Sequence, residues 1–465
     1  MPAARVVIAL KLSALAALVA AAVLWPAPTG GPGGGGAAHA QTWPLLRTFL
    51  SPTSASTDQF GSSVAAVGSH VLVGAYVDDT GAGNAGAAYL FDTAGALLQT
   101  FPNPIPESGD QFGWSVAAVG GNALVGAPND DTSATDAGAA YLFDGNTGTL
   151  LRTFLNPTPE SGDQFGFSVA ALGGNVLVGA HLDDTAATDA GAAYLFNAGN
   201  GALLRTFLSP TPAAQDFFGY SVAGVGANVL VGAPGRNFNV GAAYLFSASN
   251  GALLQTFLNP TPATGERFGG SVAELMGSVV VGAPTNGTGS GDPAVYLFNA
   301  TTGVLLETFL DPNDSFSLFG WSVAALGANV LVGDIGDFGQ AAYLFNGATG
   351  ALLQTFINPT PDVRANFGWS VAAVGGNVVV GDTGYVLGSG TGAAHLFCST
   401  ETCPLGVGGV AELPDAATTP VAAPASSGTG GAVLAGIAAA AAGAIALGGA
   451  AWWGRRRVGA ASGAD

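Results

Sequence analysis

Residues 112–154 read FGWSVAAVGGNALVGAPNDDTSATDAGAAYLFDGNTGTLLRTF, and the fold follows from how this stretch is divided. Four short apolar runs stand in it: Phe112 to Val119, Ala123 to Ala127, Gly138 to Phe143 and Leu150 to Phe154. Val, Leu, Phe and Tyr fill them, while Gly, Asn and Asp separate them, and runs of this length suit strands better than helices. The unit recurs. Phe-Gly stands at Phe60, Phe112, Phe165, Phe218, Phe268, Phe319 and Phe367, with spacings between 48 and 53 residues. Each copy therefore reads as a four-stranded antiparallel meander.

Such a sheet carries apolar residues on both faces and buries neither by itself. Copies arranged radially cover each other, which predicts an all-β, seven-bladed β-propeller. The chain ends support a closed ring. The seventh copy has its first strand at Phe367, its second at Val378 to Gly381 and its third at Ala393 to Phe397, then lacks a Leu-Leu-x-Thr-Phe strand. That strand stands instead at the other end, as Leu45-Leu46-Arg47-Thr48-Phe49, so the N-terminal strand is expected to complete the last blade.

Phe112-Gly113 followed by Val125-Gly126-Ala127-Pro128, and Phe218-Gly219 followed by Val231-Gly232-Ala233-Pro234, resemble the FG-GAP repeat of integrin α-chain propellers and related bacterial surface proteins. The resemblance covers about residues 43 to 400 and implies a recognition or adhesion role. Departures exist: Asp334 and Asp382 replace the Ala in the last two copies. In the family, Asp- and Asn-rich calcium loops often join the first two strands. Here those joints are tight turns such as Gly120-Gly121-Asn122, without a carboxylate, so calcium is not implied at that place.

Lys, Arg, Asp and Glu together make only 9% of the 465 residues, against 73 Gly and 26 Pro, and the net charge is -19. With Lys11 as the sole lysine, a basic nucleic-acid surface is excluded. Of 26 acids between residues 58 and 397, 22 fall in loops on one face of the expected disc, leaving Asp92, Asp144, Glu274 and Glu307 elsewhere. Solubility is one reading of that acidic face. Calcium is the other: Asp78 and Asp79, Asp130, Asp131 and Asp136, and Asp183, Asp184 and Asp189 gather carboxylates in Gly-bounded loops. The residue after each Phe-Gly includes Trp114, Tyr220, Trp321 and Trp369, candidates for a ligand-binding rim. Strand alternation puts this position with the Phe and the following Val, which favours packing between blades.

The ends suggest export and anchoring. Residues 1–40 read as a signal peptide ending at Ala38-His39-Ala40, and the propeller is expected over 41–404. A Pro/Ala/Ser/Gly-rich stalk follows over 405–430, then an uncharged transmembrane helix over 431–453 and a basic cytoplasmic tail over 454–465. Cys398 and Cys403 are the only cysteines and are expected to pair in an oxidising compartment.

No catalytic set emerges. The four histidines are scattered, and the serine in every first strand, such as Ser115 and Ser168, reads as structural because a nucleophile is not needed seven times. The expectation is a membrane-anchored, non-enzymatic surface protein that binds a protein or glycan. A hydrolase of polysaccharide or phosphoester and a structural coat component are the alternatives.

Overall fold

A computed structural model describes residues 43–53, 58–285, 292–313, 317–336, 340–359, 366–384 and 391–399. It contains seven four-stranded antiparallel sheets, and in six of them the strands are consecutive in the chain. The second blade runs Ser115–Val119, Asn122–Ala127, Ala139–Asp144 and Leu150–Leu155. Its first strand lies innermost, beside the first strands of the blades on either side, so that seven such strands surround a common axis.

The seventh sheet combines Phe367–Val374, Asn377–Asp382 and Ala393–Phe397 with Leu45–Leu50 from the other end of the chain. Phe49 pairs with Ala394 and Thr48 with His395 in antiparallel register. The ring is closed by its own first strand, as the rotated strand order predicts. Closure removes the two free blade faces that an open stack would leave to water.

Burial occurs between blades. Seven apolar clusters form, each shared by two adjacent sheets; one joins Leu177, Leu195 and Phe207 to Phe218, Val231, Tyr244 and Phe246. The Phe of every Phe-Gly is fully buried. Phe112 packs against Tyr141 and Phe143 with ring centroids 5.7 and 5.9 Å apart, and the other blades repeat the arrangement, the seventh with His395 in place of the tyrosine. The fourth strand is outermost and buries chiefly its Phe, leaving leucines such as Leu203 and Leu204 more than two-fifths exposed.

Hydrogen bonds tie the blades at the axis. The hydroxyl of the first-strand serine donates to the Phe-Gly carbonyl of the next blade: Ser63 to Gly113, Ser115 to Gly166 and Ser168 to Gly219, each at 2.8 Å. The glycine of Gly-Ala makes room for this bond. A Cβ at Gly74 would lie 2.1 Å from the Gly113 oxygen and 2.3 Å from the Ser63 hydroxyl. Serine at this place is structural, and the two name-giving glycines serve one joint.

The expected transmembrane helix at 431–453, the signal peptide, the stalk and the tail lie outside the described residues. Among the described residues no helix is long and apolar enough to cross a membrane.

Candidate ligand-binding site

The Phe-Gly dipeptide shapes the axial mouth through a turn. In every blade the N–H of the residue after the glycine donates to the carbonyl of the residue before the Phe, as from Trp114 to Gln111 at 3.1 Å and from Trp321 to Leu318 at 2.9 Å. The seven glycines have φ between +87° and +98°, the conformation required at the third place of a type II turn. Two residues are thereby ejected from the ladder. In the third blade Phe165 pairs with Ala180 and Ser168 with Gly179, which leaves Gly166 and Phe167 as a bulge.

The bulge changes how strand alternation applies to Trp114, Tyr220, Trp321 and Trp369. Alternation along an unbroken strand would send them between blades with the Phe. Alternation fails across a bulge, because the skipped residues change which face the next side chain meets. All four line a cavity of about 130 Å³ at the axis, together with Ser62, Tyr76, Phe167, Arg267, Gly270 and Pro284. Contact between blades survives alongside this. Tyr76 meets Trp114 at 4.7 Å between ring centroids, Trp114 meets Phe167 at 5.3 Å, Phe167 meets Tyr220 at 4.9 Å, and Trp321 meets Trp369 at 5.0 Å.

Arg267 continues the first of these arcs, its guanidinium 5.3 Å from the centre of the Tyr220 ring. Beside the arc His181 is buried and packs on Phe167 with centroids 3.9 Å apart. Burial, and secondarily the charge of Arg267, push this imidazole down to about 3, so it is neutral at physiological pH. Gly270 and Ser62 are the two positions of the rim without a ring and separate the Trp321–Trp369 pair from the longer arc. Sequence reasoning missed Tyr76, Pro284, His181 and Arg267. A repeat alignment carried the signal, since Tyr76, His181 and Pro284 share the place after Gly-Ala and Arg267 precedes a Phe-Gly.

The acidic loops have a different geometry. Asp130 is buried; its Oδ1 accepts the Thr132 N–H at 2.9 Å and its Oδ2 accepts the Tyr141 hydroxyl at 2.5 Å. Asp78 with Thr80 and Tyr89, and Asp183 with Thr185 and Tyr194, repeat the pattern. Asp79, Asp131 and Asp184 instead accept the N–H five residues on, from Asn84, Asp136 and Asp189. Asp136 and Asp189 themselves take left-handed backbone conformations. Each loop thus divides its carboxylates between separate hydrogen-bonding tasks. Among the described residues no group of three or more His, Cys, Asp or Glu side chains is placed to hold a metal ion.

A second set of buried acids lies in the loops between blades. Asp163 accepts from Asn156 at 2.7 Å and from the Glu160 N–H at 2.7 Å, and Asp110 is bound alike by Asn103 and Glu107. Burial raises Asp163 to about 7 and Asp110 to about 6, with the charges of Asp183 and Asp130 adding to it. The sequence offered no reason to expect raised acids here. Neither one lines the axial cavity, and both are almost wholly closed to solvent.

Cys398 is buried beside Pro44, whose carbonyl accepts its N–H at 3.1 Å, next to the closing strand. Cys403, its expected partner, lies outside the described residues.

A closed ring of seven four-stranded blades with an aromatic mouth on its axis defines a β-propeller, a fold compatible with a ligand-binding or recognition role. The chain carries FG-GAP repeats: the family model described as FG-GAP repeat matches residues 47–91, 106–143, 158–196 and 208–246. The remaining blades repeat the same strands, turns and interblade bonds. No curated protein matches the chain.

Proposed function

We propose that this protein is a recognition module that engages a protein or glycan at the axial mouth of its propeller, displayed outside the cell on a stalk and membrane helix. One observation carries the reading. Seven repeats that preserve their strand residues closely vary at the place after Phe-Gly, using Ser62, Trp114, Phe167, Tyr220, Gly270, Trp321 and Trp369, and these seven residues line one cavity. Packing alone would accept seven equal residues in seven equal environments. A shaped mouth of unequal residues suits a ligand, and large rigid rings supply contact area at low entropic cost.

The raised acids Asp110 and Asp163 give a hydrolase reading little support, because they are consumed in loop cross-links away from the cavity. The test is binding of the full-length chain to arrays of glycans and of extracellular proteins, with Trp321→Ala/Trp369→Ala as the comparison. Specific binding that the double variant loses while keeping its melting temperature supports the reading. Binding that the variant keeps, or turnover of a polysaccharide or phosphoester, refutes it.

A further inference from the structure

The mouth is not neutral. Arg267 is the one charged side chain among the residues lining the cavity. The equivalent places in the other blades hold Gln59, Gln111, Gln164, Phe217, Leu318 and Asn366. Arg267 is held by its own turn: its N–H donates to Asn239 at 2.8 Å and its carbonyl accepts from Gly270 at 2.9 Å, with φ at +54°. In a chain with 30 acids against 11 bases, a carboxylate partner would be expected for such a group. None is used among the described residues. The adjacent carboxylate, Glu266, is bound by Asn259 and the Ala263 N–H, and the guanidinium rests on Tyr220.

We infer that the axial cavity, read as the recognition site above, takes a carboxylate-bearing sugar ring, with Arg267 binding the carboxylate and Trp321 and Trp369 stacking on the ring. The space of about 130 Å³ is close to one that holds a single benzene ring, so the open mouth takes one face of one sugar residue and leaves the rest of the glycan outside. The fork of a guanidinium matches a carboxylate in two parallel hydrogen bonds. Aromatic faces carry negative charge density and attract the C–H bonds on one side of a pyranose. The acidic loops around the mouth repel a dense polyanion, so the ligand is a glycan with an isolated or terminal uronate rather than a polyuronate.

The test titrates the full-length chain, followed by tryptophan fluorescence, with oligosaccharides ending in glucuronate or galacturonate and with counterparts ending in glucose or galactose. At least one uronate form is expected to bind ten-fold or more tightly than its neutral counterpart. Arg267→Gln should abolish that preference, and Arg267→Lys should keep part of it. Equal binding of neutral and uronate forms, or a preference surviving Arg267→Gln, overturns the carboxylate assignment while leaving the axial site intact. Stronger competition by an acidic peptide than by any uronate overturns the sugar assignment. Glycan binding unaffected by both Trp321→Ala and Trp369→Phe removes the axial site itself.

Discussion

The Ser370 hydroxyl donates to the carbonyl of Gly61 at 2.8 Å across 309 positions of the chain. It is the same bond that Ser168 makes to Gly219 within the continuous part of the ring, so the seam is built like every other joint. Closure therefore rests on two devices: this axial bond and the outer strand Leu45–Leu50, which completes the last blade.

Ser370→Ala should cost about 1–2 kcal/mol, the usual loss when a buried carbonyl forfeits its donor. Ser168→Ala should cost the same within error. Denaturant unfolding of both variants checks this. A much larger loss at Ser370 would mean that the seam is a special weak point.

Two glycines with similar backbone separate conformational strain from collision. Gly113 and Gly120 both have positive φ, but a Cβ at Gly113 would lie 2.4 Å from the Ala87 oxygen, whereas nothing lies within 4 Å at Gly120. Gly120→Ala should cost about 1 kcal/mol and Gly113→Ala roughly 3 kcal/mol or more. Melting temperatures of the pair give the comparison.

Asp334 stands where Ala75, Ala127, Ala180, Ala233 and Ala283 stand in other blades, and it is fully buried. Burial first, and the charge of Asp311 second, raise it from 3.8 to about 8. The native state therefore holds a proton that the unfolded chain releases near pH 4, so stability falls as pH rises from about 4 to about 8. Asp334→Ala should be near neutral at pH 4 and should stabilise by a few kcal/mol at pH 8. Unfolding measured across that range tests it, and a gain independent of pH would contradict it.

The acidic loops yield a metal prediction. Asp130 and Asp131 already serve Tyr141, Thr132 and Asp136. Calcium and magnesium at matched ionic strength should raise the melting temperature equally, through screening of the acidic face. A rise specific to calcium and lost on replacing Asp130, Asp131 and Asp136 would establish the calcium reading. Tyr141→Phe, which removes one donor from Asp130, should cost about 1–3 kcal/mol.

The ring was legible in the sequence because Phe-Gly and Leu-Leu-x-Thr-Phe mark every blade, and the displacement of one Leu-Leu strand to residue 45 exposed the closure. The mouth was only half legible. Trp114, Tyr220, Trp321 and Trp369 stood out as varied aromatics, but a two-residue bulge at Gly166 and Phe167 and their equivalents defeats counting along a strand. Arg267 escaped because its ring partner Tyr220 comes from the neighbouring blade, and His181 because its partners Phe167 and Tyr220 stand far from it along the chain. The tasks of the acids were hidden for the opposite reason: composition counts carboxylates, while the hydrogen bonds they accept from Tyr89, Tyr141 and Tyr194 depend on strands 11 residues away.

The most direct test of the axial site is a fluorine NMR titration of the full-length chain carrying 5-fluorotryptophan, with any glycan or protein that it binds. Trp114, Trp321 and Trp369 line the cavity, while Trp43 packs on Phe356 between blades. Ligand should shift the three cavity resonances and leave Trp43 unmoved. Saturable binding that moves Trp43, or that moves none of the three, would contradict recognition at the propeller axis.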